Sequence, residues 1–90
     1  MQKQFRQLGK GSIVAVAETS TGESPAATAE ARAILRLIRA MGLKARVAFL
    51  TSPDTATDAR GIVVDGQSKE QVLSLLISNI DLLSLFKIML

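Results

Sequence analysis

Asp81-Leu82-Leu83-Ser84-Leu85-Phe86-Lys87-Ile88-Met89-Leu90 is the stretch on which the fold turns. It is almost wholly apolar. Periodicity therefore does not tell a helix that runs on from a strand that begins after Asp81. Upstream of it, Ser68 with Gln71 three residues later has the spacing of a capping box, in which a hydroxyl and a side-chain amide satisfy two open amides reciprocally. A helix is predicted from Ser68 through Val72, Leu73, Leu76, Ile77 and Ile80.

Further back, Gly61-Ile62-Val63-Val64-Asp65, closed by Gly66, reads as a compact strand, and Lys44 to Leu50 reads as another. The two are expected to form a hairpin around a polar loop, Thr51 to Ala59, that holds Pro53, Asp54 and Asp58. Ser24-Pro25 supplies an N-cap followed by proline at the first helical position. Good helix formers then run from Ala26 to Met41, with Gly42 placed for a left-handed C-terminal cap. Ala27, Ala31, Ile34, Leu35, Ile38 and Met41 recur at helical spacing and predict the buried face. Ser12 to Glu18, β-branched and small, is the first strand. Residues 1–11 are polar and basic, an arm or edge strand preceding one domain over 12–90.

A final strand over Leu85 to Met89 completes βαββαβ, the ferredoxin-like plan; a helix there leaves βαββα, as in KH-like and ring-forming secretion modules. Both alternatives are α+β, a two-layer sandwich with two helices packed on one face of a three- to four-stranded sheet.

The composition excludes more chemistry than it suggests. The chain has no Cys and no His, so disulfides, thiolate nucleophiles, imidazole bases and the usual zinc sites are absent. No constellation of Ser, Thr, Lys and carboxylates implies an enzyme, and none calls for a cofactor or metal: Glu18, Asp54, Asp58 and Asp65 are scattered, and turn chemistry accounts for the three aspartates. With no apolar run of about 18 residues to span a bilayer, the expected location is cytoplasmic. Leu8-Gly9-Lys10-Gly11-Ser12 lacks the glycine spacing of a phosphate loop and precedes a strand where that loop precedes a helix. Thr19 to Ser24, between a strand and a helix N-terminus, is placed to hold an anion, though a turn with an N-cap explains the same residues.

Two surfaces remain. The apolar C-terminal segment, Leu75, Leu82, Leu83, Leu85, Phe86, Ile88 and Met89, exceeds what one helix face buries and predicts a homo-oligomer interface or a dock on a larger protein. The alternative is nucleic-acid or anion binding by a basic helix face, Arg32, Arg36 and Arg39, continued by Lys44 and Arg46, on a chain of net charge +3. Only three Phe are present, so base stacking has little support. Phe49 is assigned with Val47 to the core.

Overall fold

The computed structural model describes residues 10–19, 24–51 and 58–89. They form β1 (Ser12–Thr19), α1 (Pro25–Ala40), β2 (Ala45–Thr51), β3 (Asp58–Val64), α2 (Lys69–Ser78) and a two-residue β4 (Lys87–Ile88). The protein is α+β, with an open four-stranded antiparallel sheet in the order β2-β3-β1-β4. The N-terminal arm of residues 1–9, Pro53, Asp54, most of the Thr19–Ser24 loop and Leu90 lie outside the described residues.

α1 forms as its sequence dictates. The Ser24 hydroxyl accepts the Ala27 amide at 3.2 Å, Pro25 occupies the first turn, and Gly42, at φ 78°, closes the other end by donating its amide to the Arg39 carbonyl. Ala27, Ala31, Ile34, Leu35 and Ile38 are buried as the spacing predicts, whereas Met41, at the cap, is exposed.

β3 starts three residues before Gly61, which corrects the reading of Asp58 and Ala59 as loop. Pairing on both sides explains the extension: Ala59 faces Leu50 on β2 and Glu18 on β1, so tertiary hydrogen bonds outweigh the weak strand propensity of Asp, Ala and Gly. Gly61 sits mid-strand because a Cβ there would stand 2.5 Å from the Leu50 Cδ1.

Two apolar clusters flank the sheet residues. One unites Ala27, Ala31, Ile34, Leu35 and Ile38 of α1, Val72 and Leu76 of α2, and Val14, Ala15, Ala17, Ile62, Val64 and Phe86. The other holds Val16, Ala48, Leu50, Ala59 and Val63, with Ile13 and Met89 against it. In β1 the register slips between Ile13 and Ala15. This bulge places Ile13 and Ala15 in different clusters, although strict alternation would put them together.

The C-terminal stretch follows the strand alternative, with a strand shorter than the Leu85 to Met89 span and reached through an intervening turn. Helix α2 stops at Ser78, short of the Ile80 expected from the sequence. There the Asn79 side-chain amide donates to the Leu75 carbonyl at 2.9 Å, and its backbone amide turns back to Leu75 and Leu76. A 3₁₀ turn over Ile80–Leu82 follows. Ser84 and Leu85 then donate their amides to the Glu30 carboxylate on α1, Leu85 at 2.9 Å, and Phe86 enters the core. β4 pairs Ile88 with Ala15 and Lys87 with Val16.

The start of α2 also differs from expectation. Ser68 makes no capping bond, because the chain already turns through a 3₁₀ segment, Gly66–Ser68, whose cap is the Asp65 carboxylate accepting the Gln67 amide.

Glu30 is thus a tether between α1 and the segment that leads into the C-terminal strand. Glu30→Ala is expected to cost about 1–3 kcal/mol, the magnitude of losing charge-assisted bonds. Hydrogen exchange should show faster opening at Ser84 and Leu85 than in the rest of the sheet; unchanged protection there would contradict the tether.

Candidate functional site

The predicted C-terminal interface divides when placed in the fold. Phe86 is a core residue at 2% exposure, so it is withdrawn from the surface. Leu75, Leu83 and Ile88 are half-buried against the main cluster, and Met89 packs on the second. Leu82 and Leu85 are exposed, joined by Ile77 and by Ile80 at 61% exposure. Two of these, Ile77 and Ile80, were expected within the second helix. They are exposed because α2 buries only the line through Val72 and Leu76 and ends before Ile80. Leu75 also lines an open groove of ≈ 600 Å³ with Met41 and Leu43, rimmed by Glu70, Gln71 and Ser74 of α2.

The basic residues divide as well. Arg32 and Arg36 are exposed along α1. Arg39 reaches across to donate to the Ala45 carbonyl at 3.2 Å, bridging α1 to the edge strand. Lys44 and Arg46 join Lys10 in lining a cavity of ≈ 340 Å³ between the start of β2 and the end of β3, with Gly11, Asp65 and Gly66. Arg46 holds the Lys10 carbonyl through its Nη2 at 3.3 Å. Gly11 is required at this wall: its φ is 126°, and a Cβ would meet the Val64 carbonyl oxygen at 2.9 Å.

Sequence reasoning missed a third group at the opposite end of the sheet. Arg60 lies on β3 directly across from Phe49 on β2. Its guanidinium carbon is 5.3 Å from the centre of the Phe49 ring, and its Nη1 donates to the Thr28 hydroxyl in the first turn of α1. Phe49 is therefore not a core residue: it is 69% exposed, because β2 is the edge of the sheet and the ring lies over Arg60. The available signal was an arginine two residues before a run of β-branched residues, at a position between the expected loop, Thr51 to Ala59, and the expected strand from Gly61.

The carboxylates do not converge on a metal site: among the described residues no group of three possible ligands is close enough to hold an ion, and no helix is long and apolar enough to cross a membrane. Comparison with protein-family models, curated proteins and solved structures finds no match to this chain.

Proposed function

We propose that the protein is a non-catalytic assembly module of ferredoxin-like layout that self-associates through the surface carrying Ile77, Ile80, Leu82 and Leu85. The strand order β2-β3-β1-β4 supports the layout, as does the single cluster that residues of both helices share with Ile62 and Val64; this is the arrangement expected if both helices pack on one face.

The observation that carries the assembly reading is four large aliphatic side chains left exposed between residues 77 and 85, where monomers seldom concentrate apolar surface. A second copy is the simplest occupant, since a two-fold axis buries the same patch twice. The segment contains Asp81 and is followed by Lys87, charges of opposite sign that such an axis can pair. Ile80→Asp with Leu82→Asp, both at exposed positions, should lower the mass measured by light scattering after size exclusion and leave the circular dichroism spectrum unchanged. A wild type already monomeric at high concentration, or a variant of unchanged oligomeric mass, would sink the reading.

A second reading has its own observation. Lys10, Lys44 and Arg46 line one cavity, which favours contact with nucleic-acid phosphates at that end of the sheet, extended by Arg32 and Arg36 along α1. Lys44→Glu with Arg46→Glu should then weaken oligonucleotide binding and flatten its dependence on salt by roughly one unit of log–log slope per contact removed. Equal binding by the variant would reject it.

A further inference from the structure

We propose that Arg60 and the N-terminus of α1 form a binding site for an oxyanion, a phosphate group carried by a small ligand. The site is independent of the assembly surface and lies at the other end of the sheet from the Lys10/Lys44/Arg46 cavity.

Arg60 is 8% exposed. It occupies a central strand, between Ala17 of β1 and Phe49 of β2. Its Nη1 is held by the Thr28 hydroxyl, which in turn donates to the Ser24 carbonyl at 3.0 Å. Its Nε is buried with no partner, and no carboxylate among the described residues forms an ion pair with it. Arginine does not relieve burial by giving up its proton, so a buried guanidinium calls for a counter-charge.

The surroundings add to that demand. The head is fixed to the first turn of a 16-residue helix, the end at which a helix carries partial positive charge, and that turn contains no acidic residue. Two positive fields therefore meet at one place. Ser24 already engages the Ala27 and Thr28 amides, and Pro25 has none to offer, so the backbone supplies little of the binding. A ligand anion must draw on the guanidinium, which presents its planar fork to phosphate oxygens only by turning the buried Nε outward or releasing the Thr28 hydroxyl. The exposed Phe49 ring beside it offers a flat apolar surface to whatever the phosphate is attached to.

The test is thermal unfolding of the full chain in sodium phosphate against sodium chloride at matched ionic strength, with adenosine monophosphate as a third arm. Phosphate should raise the midpoint saturably where chloride does not, and Arg60→Met should abolish the rise. A larger shift with the nucleotide, lost in Phe49→Ala, assigns a nucleotide as the source; equal shifts assign phosphate alone. If Arg60→Met does not fold, Arg60→Lys keeps the charge without the fork, and phosphate binding followed by phosphorus NMR should fall by about tenfold. Equal midpoints in phosphate and chloride, or an Arg60→Lys protein that binds as the wild type does, would overturn the site. The Ile80→Asp/Leu82→Asp variant should bind phosphate normally, which separates this site from the assembly surface.

Discussion

Phe86→Asp is expected to abolish the cooperative unfolding transition altogether. The ring is in the main cluster with residues of both helices, and a carboxylate there would be buried without a partner. Phe86→Ala, which removes apolar volume without adding charge, should cost about 3–5 kcal/mol, a large share of the roughly 5–15 kcal/mol typical of a domain. Urea denaturation measures both. The same pair distinguishes core from interface: if Phe86 were an exposed oligomer contact, either substitution would change the mass and leave the monomer's stability nearly intact. Ile80 and Leu82 should show the reverse behaviour, a change of mass with little loss of stability.

Leu50→Ala should have the second largest effect, about 2–5 kcal/mol. Leu50 is 1% exposed in the second cluster, and its branched end fills the space where Gly61 has no side chain. Gly61→Ala should destabilise by about 1–3 kcal/mol through overpacking, since its new methyl meets the Leu50 terminus. The two changes should not add. In the double variant each relieves the other's fault, and the coupling energy of about 0.5–3 kcal/mol expected for residues in contact should appear as partial rescue. Strict additivity in a double-mutant cycle would show that Leu50 does not occupy that hollow.

The three surfaces lie at different places on one scaffold. The register joins Ser12, Ala45 and Val64 at one end of the sheet, where Lys10, Lys44 and Arg46 line their cavity, and Thr19, Thr51 and Asp58 at the other, near Arg60. The exposed aliphatic residues belong to the α2–β4 connection. Variants at one surface should therefore leave the other two unaffected, because substitutions that share no partners combine additively.

Local chemistry was enough to define α1 but for its last residue. Ser24, Pro25, the three- and four-residue recurrence of Ala27, Ala31, Ile34, Leu35 and Ile38, and Gly42 each act within a few residues of chain, so the start, the approximate end and the buried face follow from the sequence, except Met41, which the spacing put on that face and the cap leaves exposed. The existence of β1, β2 and the core of β3 follows in the same way from β-branched runs. Tertiary structure decided everything that depends on a partner distant in the chain. β3 reaches back to Asp58 because it has a strand on each side; Phe49 is exposed because β2 is an edge; Arg60 is buried because Thr28, 32 residues earlier, receives its head. The last ten residues are the clearest case. Their composition suits a helix, a strand or an interface equally, and the outcome is set by Asn79 closing α2, by Glu30 holding the Ser84 and Leu85 amides, and by the space that accepts Phe86. An apolar run has no direction of its own, and only the hydrogen-bonding groups and vacant volume presented by the rest of the fold give it one.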